Sequence, residues 1–419
     1  MATTERLQNW SRNLTYSAAR VHRPTSVEEV QSIVAGAERL RTLGSRHSFN
    51  AVADTPHDLL STERLNRIVG LDRERSQVTV EGGVRYGELG EFLRREGFAL
   101  PNMASLPHIS VAGAVATATH GSGIGNGNLA TSVAAIEFVR ADGELVRLSR
   151  EDDPDTFPGA VVSLGGLGPV VRVTLDVEPM FEVAQTVYDR LPFARLAEFD
   201  AIESLAYSVS LFTHWRDPVI DQVWLKRCVE EGPAPASVHE ARPADGPRHP
   251  IATMSPEYCT LQGGVPGPWD ERLPHFQLRF TPSAGEELQA EYILSRRHAW
   301  AALQAIDPLR DQIAPLLQIT EIRTFAADDL WMSPGYEQDA VCIHFTLLPD
   351  WPGVRDLLPK IEAALAPFEP RPHWGKLFTM APEAIRPGYS RLSDFDRLLR
   401  SYDPEGKFRN DFLNSLLGT

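Results

Sequence analysis

The chain has 419 residues, of which 42% are hydrophobic and 23% charged, and its formal net charge is −15. This length predicts two domains rather than a single core, and the composition is typical of a globular protein rather than a disordered one. The negative charge argues against binding to nucleic acids or anionic membranes, because both interactions require basic surfaces. The N-terminus lacks an apolar signal core and no run of about 18 apolar residues occurs, so we expect a cytoplasmic protein.

Cysteine and glycine patterns exclude two further kinds of site. Cys228, Cys259 and Cys342 are widely spaced and odd in number, which fits reduced thiols better than disulfides or a zinc site. We therefore expect no metal. The glycines at 121–127 do not follow a strand and open a helix, so the fingerprint of a nicotinamide-binding fold is missing.

The first part of the chain predicts helices that alternate with strands. Ser26 and Glu29 have the spacing of a capping box, and apolar residues then recur at helical spacing. Gly97 and the Asp142-Gly143 pair mark a helix end and a hairpin turn. The later elements are a strand at 77–80, a helix at 86–96, hairpin strands at 136–139 and 145–148, and a strand at 170–177.

The middle part predicts an antiparallel sheet with helices, beginning near residue 180. A Pro-rich surface segment lies at 232–250, and we expect a helix near 286–305. The strand-like segments are residues 207–212, 222–227 and 275–280.

Two small-residue segments point to a flavin enzyme. Residues 41–50 place His47 in a turn of small and polar residues after a short apolar strand. Such a turn can present backbone N–H groups to a diphosphate, with the histidine beside the cofactor. Residues 110–127 supply the second segment, where small side chains let a flat cofactor lie against the main chain. These side chains are Ala112, Gly113, Ala114, Ala116 and Ala118.

Two strand-like segments carry polar residues at alternating positions. Glu321 and Arg323 project to one face of their strand, and His344 and Thr346 do the same in theirs. If the strands pair, the four side chains line one pocket wall. The alternative is a solvent-exposed sheet face with an ordinary Glu–Arg contact.

Three more polar residues have ordinary structural alternatives. Lys376 follows Pro372-His-Trp-Gly, and a single lysine is most often a surface charge. The Ser105 hydroxyl can donate and accept at once, which suits a polyol, but buried serines commonly cap backbone groups. His120 is expected to make a backbone hydrogen bond within the glycine-rich loop, without a catalytic role.

Motifs along nearly the whole chain resemble the vanillyl-alcohol-oxidase flavoprotein family. They are LGSRHSFN at 43–50, LPNMASLPHISVAGAVATATHGSGIGNG at 100–127, EIRT at 321–324, HFT at 344–346 and RPHWGK at 371–376. Arg46 is a departure, because the related loop has glycine there, so the backbone must tolerate a Cβ atom.

The resemblance implies a two-domain α+β fold. Residues 1–180 would form a PCMH-type FAD-binding domain and residues 181–370 a substrate-binding cap domain built on an antiparallel sheet. The last segment, 371–419, would return to the FAD-binding domain.

The resemblance also implies FAD bound covalently through His47. The cofactor-binding residues that it implies are Thr42, Leu43, Gly44, Ser45, Arg46, His47, Ser48, Ser105, Ser110, Val111, Ala112, Gly113, Thr117, Ala118, Thr119, His120, Val170 and His373.

The implied activity is oxidation of the terminal hydroxyl of an alditol (xylitol, sorbitol and, more weakly, glycerol) to an aldose, with O2 reduced to H2O2 by a monomeric enzyme. Arg323, Lys376 and His344 would be catalytic, and Ser105, Glu321, Arg323, Thr346 and Lys376 would bind substrate. Lys376 and His344 both remain candidates for the group that takes the hydroxyl proton. The alternatives are a sugar-lactone oxidase or dehydrogenase of the same fold, and a carbohydrate-binding protein without catalysis.

Overall fold

The computed structural model describes residues 7–280 and 286–418 of a mixed α+β fold. The strands, numbered in chain order, are β1 Arg20–His22, β2 Leu40–Leu43, β3 Asp58–Ser61, β4 Ile68–Asp72, β5 Gln77–Glu81, β6 Phe98–Ala99, β7 Val133–Val139, β8 Leu145–Ser149, β9 Val170–Asp176, β10 Glu178–Pro179, β11 Glu182–Pro192, β12 Ser208–Thr213, β13 Val219–Cys228, β14 Arg242–Pro243, β15 Pro266–Pro268, β16 Leu288–Ser295, β17 Leu317–Phe325, β18 Ala340–Leu347 and β19 Arg371–Pro372. The α-helices are α1 Val27–Gly36, α2 Tyr86–Glu96, α3 Val111–Ala116, α4 Phe157–Val161, α5 Phe199–Glu203, α6 Ala299–Ile306, α7 Arg310–Ile313, α8 Trp351–Leu365, α9 Pro382–Ile385, α10 Leu392–Tyr402 and α11 Asp411–Leu417.

The first part of the chain forms a parallel sheet in the order β1-β3-β2 and an antiparallel sheet in the order β4-β5-β9-β7-β8. Its local signals act as predicted. The Ser26 side chain accepts from the Glu29 N–H and begins α1, while Gly97 ends α2 with a φ of 82°. β7 and β8 form the predicted hairpin, and Gly143 has a φ of 91° in its turn.

The second sheet has nine strands, in the order β14-β11-β13-β12-β17-β18-β16-β19, and β15 pairs with β11 at one edge. One face carries the apolar residues of the alternating pattern, such as Ala290, Ile322 and Ile343, in one buried core with α6 and α8. Because side chains alternate along a strand, the polar residues of β16, β17 and β18 lie on the opposite face. That face lines the cavity described below.

The chain passes from the first part into the nine-stranded sheet between β10 and β11. β10 still pairs with β6 of the first part, and β11 enters the nine-stranded sheet. The last residues lie against the first strands: the Leu40 N–H donates to the Lys407 carbonyl at 3.0 Å. The buried Arg41 guanidinium donates to the Phe408 carbonyl at 2.7 Å. The domain limits at 180 and 370 remain predictions.

The prediction of a strand at 275–280 is wrong. This segment makes only an isolated bridge, between Cys259 and Phe276. The His275 and Phe276 N–H groups both donate to the Ser105 carbonyl, at 3.0 and 3.2 Å, and Pro274, just before the segment, has no N–H to give to a ladder. The first N–H groups of the segment are therefore bonded to the Ser105 carbonyl rather than to a neighbouring strand.

The prediction of a helix over 286–305 is wrong in its first half. Residues 288–295 form β16, which pairs with β18 and β19, and the helical part begins only at the 3-10 turn Arg296–His298, which leads into α6. Leu288, Ala290, Tyr292 and Leu294 face the apolar core, which is the period of two that a half-buried strand requires. Pairing with distant strands outweighs the helix propensity of this glutamate-, glutamine- and alanine-rich segment.

All three cysteines are free thiols, as predicted, and Cys259 and Cys342 are buried. Among residues 7–280 and 286–418, helices of sufficient length and apolarity to cross a bilayer are absent.

Candidate active site

The turn that follows β2 is held against the start of α3 by two serines. The Ser45 N–H donates to Ser110 Oγ at 3.2 Å, and the Ser110 N–H donates to Ser45 Oγ at 2.9 Å. The approach is close, since a Cβ atom on Gly44 would lie 2.6 Å from Ser110 Oγ. Arg46 has a φ of 65°, so it occupies the left-handed region that favours glycine. The backbone accommodates a side chain there, as expected.

His47 lies in this turn, between Ser45 and the ring of Trp10. Its Nδ1 lies 3.0 Å from Ser45 Oγ, and its ring stacks on Trp10 at 5.5 Å between centroids. Its Nε2 is buried and has no hydrogen-bond partner in the part of the chain that the structure describes. Burial, helped by the nearby cations of Lys376, Arg85 and Arg46, lowers the pKa of His47 to about 3. The ring is therefore neutral at neutral pH.

A cavity runs from this turn along α3 to the polar face of the nine-stranded sheet. Most of the cofactor residues inferred from the sequence line it, namely Thr42, Leu43, Gly44, Ser45, Arg46, His47, Ser48, Ser105, Ala112, Gly113, Thr117, Thr119, His120, Val170 and His373.

Three residues of that set lie behind the wall. Ser110 exchanges two hydrogen bonds with Ser45 and is not among the residues that line the cavity. Val111 and Ala118 are buried in the apolar core of the first part. The loop that contains Ala118 follows α3, and its φ of 51° turns the chain so that Thr117 and Thr119, rather than Ala118, reach the cavity.

The pairing of three strands brings the polar residues together in register. Glu321 on β17 lies opposite His344 on β18, and His344 lies opposite Glu291 on β16. Thr346 lies opposite Gln289 in the next row. Residues directly opposite in an antiparallel pair share a face, so these side chains form one wall. The predicted wall of four polar side chains is present, and it is buried rather than open to solvent.

Arg323 connects this wall to the first part of the chain. Its Nη1 donates to Ser105 Oγ at 2.9 Å, its Nη2 lies 3.4 Å from Glu291 Oε1, and its Nε lies 3.3 Å from Glu321 Oε1. Burial opposes its charge, but Glu321 and Glu291 outweigh burial and raise the pKa of Arg323. The guanidinium is therefore a fixed positive charge between two carboxylates.

Lys376 reaches the same cavity from the segment after β19. Its ammonium donates to Gln289 Oε1 and lies 4.9 Å from the centre of the Phe49 ring. Burial lowers the pKa of Lys376 to about 8, against the opposing effect of Glu291 and Glu287. The surface-charge alternative for this lysine is therefore wrong.

His344 contacts a carboxylate and a hydroxyl. Its Nδ1 lies 3.2 Å from Glu291 Oε2, and its Nε2 lies 3.1 Å from Thr346 Oγ1. Burial lowers the pKa of His344, although Glu291 acts in the opposite direction. His120 Nδ1 makes the expected backbone contact, 2.9 Å from the Gly121 carbonyl, and its Nε2 lies 3.0 Å from Glu291 Oε1.

The sequence reasoning missed Glu291 and Gln289, which hold His344, Arg323 and Lys376. The signal was present, because Gln289 and Glu291 alternate with the apolar residues of β16. The prediction of a helix over 286–305 concealed this alternation.

His275 was also missed. Its Nε2 lies 2.5 Å from Glu321 Oε1, and its Nδ1 lies 2.9 Å from the Lys226 ammonium. Burial and the Lys226 charge lower the pKa of His275 to about 4, so the neutral ring accepts from Lys226 and donates to Glu321. No local pattern indicates this chain of contacts, because its members come from three distant segments.

Two protein families match separate parts of the chain, in agreement with the cavity and its lining residues. A family described as FAD binding domain matches residues 18–149, and one described as D-arabinono-1,4-lactone oxidase matches residues 286–416. The fold resembles that of cholesterol oxidase from B. sterolicum, with a TM-score of 0.79, 16% identity, and 98% and 96% of the two chains covered.

Two sequence relatives span almost the whole chain. The L-gulono-1,4-lactone dehydrogenase of Mycobacterium tuberculosis is 28% identical over 445 residues, with 98% of each protein covered. The alditol oxidase of a Streptomyces species is 49% identical over 412 residues, again with 98% of each covered. The chain therefore belongs to the alditol oxidase family of FAD-dependent oxidoreductases, within the vanillyl-alcohol-oxidase type.

Proposed function

We propose that this protein is a covalent FAD oxidase that converts the terminal hydroxyl of alditols to an aldehyde and reduces O2 to H2O2. Xylitol and sorbitol are the proposed substrates, and glycerol a weaker one. The observation that carries this proposal is the meeting of Ser105, Arg323 and Lys376 with the Glu321–His344 wall in the cavity that also contains the His47 turn. Membership in this family of oxidoreductases excludes the alternative of a carbohydrate-binding protein without catalysis.

The cavity fits FAD because it offers buried polar atoms that have no hydrogen-bond partner among the described residues. Thr42 Oγ1, His47 Nε2 and Ser163 Oγ are buried and unpaired among the described residues, and all three residues line the cavity. Small residues of α3 line the same wall. When bound, FAD accepts a hydride from the substrate carbon and passes the electrons to oxygen. A neutral, buried histidine ring supports covalent attachment through His47.

Arg323 and Lys376 supply the positive charge that a reacting hydroxyl requires. As the carbon loses hydride, the oxygen loses its proton, and donors fixed in advance stabilise the negative charge that develops. Ser105 is held by Arg323 and adds a hydroxyl that both donates and accepts. Glu321, His344 and Thr346 are placed to pair with further hydroxyls of the substrate.

A lactone substrate is the second candidate, and the lactone-oxidase match over residues 286–416 favours it. Peroxide release should be measured with xylitol, sorbitol, glycerol, gulono-1,4-lactone and galactono-1,4-lactone, and repeated anaerobically with an artificial electron acceptor. We expect the two longer alditols to give the highest kcat/KM. Turnover of the lactones but not of xylitol would replace the alditol proposal.

Selectivity for long polyols is expected to be large. Ethanol would leave the partners of the additional hydroxyls, including Glu321 and Thr346, unpaired in the buried site, and each lost pairing of about 1.4 kcal/mol costs about tenfold. The kcat/KM values should therefore rise along the series ethanol, ethane-1,2-diol, glycerol and xylitol, over several orders of magnitude in total. Equal values for ethanol and xylitol would contradict a pocket that binds several hydroxyls.

A further inference from the structure

Glu291 is a buried carboxylate to which neither the sequence motifs nor the proposed function assigns a role. It is 2% exposed and lies on the cavity face of β16. Three donors from three different elements converge on it: His120 Nε2 at 3.0 Å, His344 Nδ1 at 3.2 Å and Arg323 Nη2 at 3.4 Å. It thus joins the glycine-rich loop of the first part to β18, which pairs with β16, and to β17, the next strand beyond β18.

We propose that Glu291 positions His344 as the base that takes the substrate hydroxyl proton, while Lys376 donates to the same oxygen as an ammonium. This inference rests on the proposed oxidation of alditols. It deepens that proposal by deciding between the two candidates for the proton acceptor.

The contacts of His344 determine which of its two ring nitrogens carries the hydrogen. An ionised carboxylate can only accept, so the His344 nitrogen that faces Glu291, Nδ1, carries the hydrogen. Its Nε2 then keeps its lone pair and accepts from the Thr346 hydroxyl at 3.1 Å, and both residues line the cavity. A carboxylate behind an imidazole fixes its tautomer and stabilises the imidazolium that forms on proton transfer.

Glu291 is held in its ionised form. Burial alone would raise its pKa, but His120 and His344 hold the pKa of Glu291 well below its usual range. The other titratable or charged groups that face His344 are Glu321 and Arg323 on β17, and His373 and Lys376 on the segment that follows β19.

The contacts of Lys376 suit a charged ammonium. Its Nζ donates to a neutral amide oxygen of Gln289 and lies over the face of Phe49, an arrangement that attracts a cation. With a pKa of about 8, about ten lysines are charged for each neutral one at pH 7. His344, whose pKa is lowered by burial, is neutral under the same conditions.

The proton and electron balance is complete with the proposed cofactor. The substrate O–H bond breaks and its proton goes to His344 Nε2. The C–H bond breaks with its electron pair, which leaves as hydride to FAD, and the carbon–oxygen double bond forms. Glu291 balances the positive charge that His344 acquires.

The first test is stopped-flow reduction of the flavin by xylitol without oxygen, using Glu291→Gln. We expect the reduction rate constant to fall by about a hundredfold or more, with flavin content retained and KM little changed, because the contact is needed in the transition state. Glu291→Asp should recover part of the rate. Glu362→Gln is the matched control, because Glu362 accepts from Tyr292 on the opposite face of the same strand.

A double-mutant cycle separates positioning from a general structural role. If Glu291 acts through His344, Glu291→Gln combined with His344→Ala should reduce the flavin within about twofold of His344→Ala alone. Rate losses that multiply, or a native rate in Glu291→Gln, would overturn the proposal. Failure of every alditol to reduce the native flavin would instead overturn the proposed function.

The pH profile of the native enzyme distinguishes the two bases. With His344 as base and Lys376 as donor, the reduction rate should be level near neutral pH and fall as the pH rises above about 8. With Lys376 as base, it would rise through the same range. A rising profile would contradict our assignment.

Discussion

Replacing Lys376 with methionine is expected to slow flavin reduction by xylitol by about a hundredfold or more, the scale for loss of one transition-state donor. The side chain donates to the neutral amide of Gln289, so its removal leaves no carboxylate without its ion pair. The effect should therefore appear in the chemical step, with a thermal unfolding midpoint close to that of the native protein. Anaerobic stopped-flow absorbance measures the rate, and a thermal melt measures stability.

Arg323→Ala, unlike the lysine variant, is expected to lower both the reduction rate and the stability of the protein. It should slow reduction at least as much, but it also leaves Glu291 and Glu321 without their guanidinium. Breaking such a buried ion pair destabilises a protein by about 3–5 kcal/mol, so the midpoint should fall clearly. Native reduction rates in both variants would show that neither residue contacts the reacting oxygen.

His47→Ala is expected to abolish covalent attachment of the flavin. The ring is neutral, its Nε2 is buried and unpaired, and it lies in the turn that lines the cavity. After acid precipitation the native pellet should stay yellow, whereas the variant should release its flavin or contain none.

His108→Ala is the matched control for this loss. His108 is a neighbouring histidine whose Nε2 lies 2.8 Å from the Leu278 carbonyl. Its removal should leave the pellet yellow. A colourless native pellet would contradict the covalent link but would leave FAD binding intact.

Local sequence signals predicted the parts of the fold that depend on neighbours in the chain. Ser26 and Gly97 act at the helix ends that their types favour. The alternation around Glu321 and around His344 was sufficient to place both on one wall, because a strand's period of two is local and the pairing of β17 with β18 keeps them in register.

The predictions that were wrong concern segments whose structure depends on residues distant in the sequence. Residues 286–295 have helix-forming side chains, and only their pairing with β18 and β19 makes them a strand. Because that segment was predicted as a helix, the place of Glu291 in the site was not predicted either. His275 has its role because Lys226 and Glu321 approach it from other strands, an arrangement that no spacing along the chain reveals.

The most direct test of the account is anaerobic titration of the purified protein with xylitol, followed by admission of air. We expect xylitol to bleach the oxidised flavin absorbance, air to restore it, and one H2O2 to form for each xylitol oxidised to its aldose. A flavin that stays oxidised under excess xylitol, or that is bleached by gulono-1,4-lactone alone, would contradict the proposal that this protein oxidises alditols.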